Sequence, residues 1–252
     1  MAFCALNAVK GVNIIMKIVD RILATSDLHG QNKRFLDLLG KTEYNPEQDL
    51  LVVCGDLIDR GSENLDCLAT CEALQKKGAI LLKGNHEQFL EKSIIEMLTT
   101  DTWRKHPSSD LYYWIHHNGG GEMYKEIQNL SSGKLSNILK ILQRLPAYFM
   151  VGKYILSHAG ANVKKPIEEN NENELVWMNE EFPWCPAYPE KVMVFGHTPT
   201  WLLHGNRTVK DKRNAKVWYD KLNKDKLCID CGGIFGGRLA AIELPTYLEF
   251  YN

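Results

Sequence analysis

Seven short apolar stretches recur along the chain: RILATS (21–26), DLLVVC (49–54), AILL (79–82), KYILS (153–157), KVMVF (191–195), LCID (227–230) and RLAAIEL (238–244). They are strand length, rich in branched residues, and mostly continuous rather than alternating, which is the pattern of strands covered on both faces. Between several of them the period lengthens to that of a helix. SENLDCLATCEALQKKG (62–78) opens on a cap-like serine and stops at Gly78, HEQFLEKSIIEMLTT (86–100) follows Gly84, and KLSNILKILQRLP (134–146) ends before a proline. The alternation predicts an α/β layered domain.

Two segments depart from this rhythm. Residues 101–133, with DTWRKHPSSD, YYWIHHNGGG and a polar SSG, read as a cap-like excursion, and 162–190 is long, polar and punctuated by prolines. Residues 1–15 read as an extension ahead of an effective start near Met16, outside the core. The rest, 16–252, is expected to form one catalytic domain.

Composition narrows the classes. A net charge of −1 over 252 residues gives no overall basic field, so no nucleic-acid partner is expected. The basic, aromatic-bearing stretch 205–226 is read as a solvated hairpin. No apolar run nears the roughly 20 residues of a spanning helix, so no membrane partner is expected. The seven scattered cysteines do not form a secreted-domain framework, and reduced thiols in a cytoplasmic protein fit them better. CIDC (228–231) has no second pair at matching spacing, which favours core cysteines over a zinc site.

The chemistry lies immediately after the strands. SDLHG (26–30), GDLIDRG (55–61), KGNHE (83–87), SHAG (157–160) and FGHTP (195–199) each place Asp, Asn or His just past an apolar run, beside a residue that lets the backbone bend. Strand ends of α/β sheets converge on one rim, so these donors are expected to meet. Asp27, His29, Asp56, Asn85, His158 and His197 are the candidate metal ligands. Carboxylate, imidazole and amide donors suit first-row divalent ions, and six ligands are too many for one catalytic ion, so two ions are inferred. Asp56 is the candidate bridge. Two divalent ions against two carboxylates leave a surplus near +2, which attracts a phosphate dianion and acidifies a bound water. Arg60 would offer a planar fork to phosphoryl oxygens. His86 would protonate the leaving group, with Asp59 orienting its ring. His106, His116, His117 and His204 read as surface or rim residues, although His117 and Asn118 would touch substrate if the NGGG segment folds over the site.

In order and together, these motifs resemble those of the calcineurin-like metallophosphoesterases, and more closely the phosphoprotein-phosphatase branch, with its GDxHG, GDxxDRG, GNHE and two later histidines. WIHHNGGG (114–121) and FGHTP resemble bacterial and phage serine/threonine phosphatases and the related symmetrical diadenosine tetraphosphate hydrolases. The resemblance implies a two-sheet β-sandwich flanked by helices, with the metal site at strand ends. It also implies Mn²⁺, or Fe with Mn, on the six ligands above, with Zn or Ni as alternatives. The activity implied is hydrolysis of a phosphorylated protein or small phosphoester. Dinucleoside tetraphosphate hydrolysis and a non-enzymatic scaffold are the alternatives. The chain departs from the pattern twice. Lys83 stands before GNH where many members have arginine, offering phosphate a point charge. Near Trp177, Asn179, Glu180 and Glu181 occupy places where members often carry a phosphate-binding arginine. The acidic stretch 167–182 would favour substrates with basic flanks.

Overall fold

The structure is a computed structural model that describes residues 3–4, 18–19, 21–178, 180–205 and 212–252. Most of the 1–15 extension, Asn179 and residues 206–211 of the basic stretch lie outside the described residues. Phe3–Cys4 (β1) pairs antiparallel with Ile18–Val19 (β2).

Two five-stranded mixed sheets carry the rest. The first comprises Arg21–Thr25 (β3), Asp49–Val53 (β4), Ile80–Leu81 (β5), Ala240–Leu244 (β11) and Glu249–Tyr251 (β12), in the order β12-β11-β3-β4-β5. Strands β3, β4 and β5 run parallel, and β11 closes antiparallel on β3. The second comprises Tyr148–Val151 (β6), Tyr154–Ser157 (β7), Val192–Phe195 (β8), Trp218–Tyr219 (β9) and Lys226–Cys228 (β10), ordered β6-β7-β8-β10-β9 with β7, β8 and β10 parallel.

The continuous apolar runs are explained by what covers each face. Side chains alternate across a strand. Ile22, Ala24, Leu50 and Val52 therefore face the second sheet, where they pack with Leu156, Val194 and Leu227. Leu23, Leu51 and Val53 point the other way, into a core shared with helices. Those helices are Asn32–Lys41 (α1), Asn64–Lys76 (α2), Asn85–Thr99 (α3), Ser109–His116 (α4), Gly121–Ile127 (α5) and Ser132–Leu142 (α6). The outer face of the second sheet, with Ile155, Met193 and Phe195, is covered by Ile167, Leu175 and Phe182 from the long polar segment. That segment contributes Glu172–Val176 (α7), and Thr200–Leu203 (α8) follows β8. The result is a β-sandwich with helices on its flanks.

The 101–133 excursion is more deeply integrated than a lid. Trp103, Leu111, Trp114, Met123 and Ile127 are buried in the core that α2 and α3 share. Trp114 is fully buried and reaches the underside of the rim where the strand-end motifs gather.

Candidate metal centre

The five strand-end motifs meet. Beyond the last paired residues of β3 and β4 the chains stay zipped: Asp27 N–H donates to the Gly55 carbonyl at 3.1 Å, His29 N–H to Asp56 at 2.9 Å and Gly30 N–H to Leu57 at 3.0 Å. Gly196 N–H donates to the His158 carbonyl at 2.8 Å, joining the turns after β8 and β7. The backbone at these turns is unusual. Asp27, His29, Asp56, Asp59, Arg60 and His197 all hold positive φ between 45° and 74°, six of ten such non-glycine residues among those described. Each such residue costs about 1–3 kcal/mol and persists only where surrounding structure fixes it, so the strain is concentrated where side chains must be aimed inward.

Asp56 stands between two donor groups. Its Oδ2 lies 3.6 Å from His29 Nε2 and 3.7 Å from His86 Nε2, and its Oδ1 lies 3.4 Å from His158 Nε2. On the Oδ2 side, His29 Nε2 is also 4.0 Å from Asp27 Oδ1. On the Oδ1 side, Asn85 Oδ1, His158 Nε2 and His197 Nδ1 lie within 3.1 Å of one another. The tautomers follow from the backbone. His29 Nδ1 faces the Ile58 carbonyl at 3.0 Å and His158 Nδ1 the Cys54 carbonyl at 2.9 Å, so each donates there and presents a lone pair on Nε2.

The electrostatics fit cations. Asp27 and Asp56 are buried, and burial, with Asp230 beside Asp27 and Glu87 beside Asp56, holds both well above the usual carboxylate range. Burial pushes His29 and His158 well down and His197 to about 4, so the imidazoles are neutral ligands. Crowded acceptors, lone pairs aimed at one another and acids lacking countercharge are the condition that bound cations relieve. The residues present therefore fit two divalent ions sharing Asp56.

His86 Nδ1 donates to Asp59 Oδ2 at 2.7 Å, and its buried Nε2 has no hydrogen-bond partner. Trp114 Nε1 donates to the same Asp59 oxygen at 2.7 Å. Burial pushes Asp59 up to about 8 against the opposing pull of Trp114 and Arg60. Arg60 Nη1 lies 2.5 Å from His29 Nε2, and Arg60 N–H donates to the Gly119 carbonyl at 2.8 Å. Asn118 carries a buried Nδ2 with no partner in the turn just before Gly119.

Lys83 is the exception among the expected site residues. Its ammonium pairs with Glu91 at 2.7 Å and Glu172 at 3.0 Å. One of these carboxylates lies on α3 and the other on α7, and together they hold the ammonium that phosphate would need. Glu174 and Glu181 are likewise paired, with Lys165 and Lys164, which weakens the acidic field expected over 167–182. His106, His116, His117 and His204 are exposed, and Cys228 and Cys231 are buried free thiols. Of the group near Trp177, Asn179 lies outside the described residues, and Trp177 itself stands with its ring 6.0 Å from that of His197.

The strand-end pattern assigns no role to the supporting residues behind the donors. Glu87 accepts N–H bonds from Asp56, Leu57 and Gly84, each at 2.8 Å, and so sets the turn that aims Asp56. Gly84 must lack a side chain there, because a Cβ would collide with the Asp56 carboxylate. Asn64 caps the Asp59 N–H at 2.7 Å, and Asp230 adds a third buried carboxyl beside Asp27. Glu87 is the last residue of KGNHE and was legible as a motif position, though not as a support for another loop.

The model of the family described as calcineurin-like phosphoesterase matches residues 20–234, which includes every one of these motifs. The chain belongs to the calcineurin-like phosphoesterases. Membership makes this phosphoesterase a metal-dependent hydrolase, in line with the donor set. It is 25% identical over 230 residues to serine/threonine-protein phosphatase 1 of Salmonella typhimurium, covering 88% of this chain and 91% of that one. It is 26% identical over 242 residues to a symmetrical bis(5'-nucleosyl)-tetraphosphatase of Nitrosospira multiformis, covering 92% of this chain and 76% of that one. A crystal structure described as a putative diadenosine tetraphosphatase superposes with a TM-score of 0.65 at 19% identity, over 92% of both chains, and shows the shared fold.

Proposed function

We propose that this phosphoesterase hydrolyses phosphomonoesters, with phosphoserine and phosphothreonine in proteins as its leading substrate class. The observation that carries the reading is the division of Asp56 between two donor groups, His29 with His86 and His158 with His197. That arrangement supports a ligand set of Asp27, His29 and Asp56 for one ion and Asp56, Asn85, His158 and His197 for the other. The mixed oxygen and nitrogen donors favour Mn²⁺, with Fe, Zn or Ni as competitors. When bound, such a pair acidifies a water and clamps the oxygens of an in-line displacement at phosphorus.

The chain's own residues do the rest. Arg60 binds the phosphoryl oxygens, and Asn118 donates its unpartnered amide beside it. His86 delivers a proton from Nε2 to the leaving oxygen while Asp59 holds Nδ1–H and stabilises the charged ring. The Trp114 indole N–H favours the ionised form of Asp59 against the opposing effect of burial. Trp114→Phe is therefore expected to slow a phosphoserine peptide about tenfold and to cost about 1–2 kcal/mol of stability through the lost hydrogen bond. Removing the indole donor raises Asp59 further and lowers the pKa of His86, so the alkaline limb of the kcat profile should move to lower pH. A limb at the wild-type position would remove Trp114 from this relay.

The free thiols among the described cysteines support a reducing cytoplasm. No helix among the described residues is long and apolar enough to cross a membrane. Cleavage of dinucleoside tetraphosphates is the second reading, favoured by the nucleosyl-tetraphosphatase likeness across nearly the whole chain. Side-by-side kcat/KM values with Mn²⁺ on phosphoserine peptides and on diadenosine tetraphosphate test the two. The peptides are expected to win, and a strong preference for the nucleotide reverses the choice.

A further inference from the structure

We infer that Phe235, braced by Arg34, is a positioning residue that fixes the Arg60 guanidinium for phosphate. The inference rests on the reading of Arg60 as the phosphate-binding residue.

Arg60 needs an anchor. Among the described residues no carboxylate lies within ion-pair distance of it, and its polar side-chain contact is with His29 Nε2. That nitrogen is also offered to the metal, so it is a poor permanent partner. The stem of Arg60 lies against Gly119, where a Cβ would stand 2.6 Å from Cγ. Its head lies under an aromatic ring, with Cζ 5.1 Å from the centroid of Phe235. This is cation–π geometry, and a flat ring on one side leaves the edges of the guanidinium free for oxygens.

Phe235 is 46% exposed and meets Trp201 edge-on, with ring centroids 6.4 Å apart, so much of its surface is left open beside Arg60. It sits in a single turn, Gly233–Phe235, bounded by Gly232 and Gly236, which both hold left-handed backbone at φ 66° and 85°. A loop so rich in glycine would not hold a ring in place unaided. Arg34 supplies the brace. Its Nη1 donates to the Gly233 carbonyl at 2.8 Å and to Gln31 Oε1 at 2.7 Å, and its Nη2 to the Gly237 carbonyl at 3.2 Å and to the Asn252 oxygen at 3.0 Å. Nε donates to Asn252 Oδ1 at 2.7 Å, so all five N–H groups are engaged. The two loop carbonyls flank Phe235 in sequence, and α1 and the end of β12 are tied into the same fork. Lysine could not reproduce this, since it has one ammonium for contacts in five directions.

The test is calorimetric titration of inorganic phosphate into the Mn²⁺-loaded protein, with metal content and melting temperature measured alongside. Phe235→Leu keeps apolar bulk and removes the quadrupole. It is expected to weaken phosphate about fivefold, equivalent to about 1 kcal/mol, with metal content unchanged. KM for p-nitrophenyl phosphate should rise by a similar factor while kcat stays within twofold. Phe235→Tyr and Phe235→Trp should bind phosphate like the native protein, and Arg34→Lys should lose affinity as the leucine variant does. Arg60→Gln should weaken phosphate more than tenfold. If Arg60→Gln is weak and Phe235→Leu is native-like, the positioning role is wrong while the Arg60 reading stands. If leucine and tryptophan variants lose affinity equally, loop shape rather than the ring is responsible and the inference falls. If Arg60→Gln binds normally, the reading of Arg60 falls and this inference with it. Native affinity in Arg34→Lys removes the brace.

Discussion

Asp56→Asn is expected to strip both metal ions at once, leaving less than half an ion per chain after dialysis and lowering kcat by at least about 10³-fold. One carboxylate oxygen faces His29 and His86, and the other faces His158. An amide keeps the shape but replaces one oxygen by an N–H donor, which repels a cation, and removes one of the two negative charges assigned to the ligand set. Asp27→Asn is the contrast, because the donor atom Asp27 faces is His29 Nε2, at 4.0 Å, while its contact with His197 is to the backbone N–H, at 3.0 Å, and it should cost mainly one ion. Elemental analysis reads both outcomes, and loss of a single ion from Asp56→Asn removes the bridging assignment.

The same substitution should leave the metal-free fold intact or make it more stable. Asp56 is held well above the usual carboxylate range, chiefly by burial and then by Glu87 and Asp27. At neutral pH the unfolded chain releases that proton and the folded chain resists doing so, so the native carboxyl destabilises the metal-free fold. The advantage of the variant is therefore present above the unfolded value and disappears below about pH 4, where both states are protonated. Melting curves of the metal-free proteins at pH 7 and pH 3.5 check the sign.

What could be read in the sequence was what local chemistry dictates. Strands buried on both faces leave continuous apolar runs, and turns that carry donors leave Asp, His and Gly at fixed offsets, so a layered α/β fold and the strand-end donors were legible, while the two-sheet sandwich came only with the family resemblance. Helix α1 was not legible, since Gln31 at its start makes no side-chain cap and gives no start signal. Short edge strands such as β9 and β12 carry too few residues to show a period. The partners of Lys83 were not legible, because its position in the chain is adjacent to the site while its ammonium is held by Glu91 and Glu172. The second of these is 89 residues away in sequence and no local pattern announces it. Trp114 and Glu87 act on Asp59 and Asp56 across similar separations, 55 and 31 residues, and only the folded chain joins them. The 101–133 segment read as a cap-like excursion for the same reason: its apolar residues serve a core shared with α2 and α3.

His86→Asn is expected to separate substrates by leaving group. Turnover of a phosphoserine peptide should fall about 10³-fold, whereas p-nitrophenyl phosphate should lose no more than about tenfold, because a stable phenolate hardly needs a proton in the transition state. The structure sets up both halves of this expectation. Nδ1–H is committed to Asp59 at 2.7 Å, which orients the ring and leaves Nε2 as the working nitrogen. Nε2 is buried without a hydrogen-bond partner, which leaves it open to a leaving oxygen. Burial lowers the pKa of His86 well below its ordinary value, with Arg60 and His197 adding to the effect. An imidazole so poised gives up a proton readily once charged, and Asp59 is the group that makes charging it tolerable. A competing assignment is distinguishable in the same samples. His86 Nε2 is 3.7 Å from Asp56 Oδ2, close enough for His29, Asp56 and His86 to form a three-donor set of their own. If His86 were a ligand, the variant would lose one ion and both substrates would slow together. Full metal content with a large gap between the two esters supports the proton donor, and equal losses on both remove it.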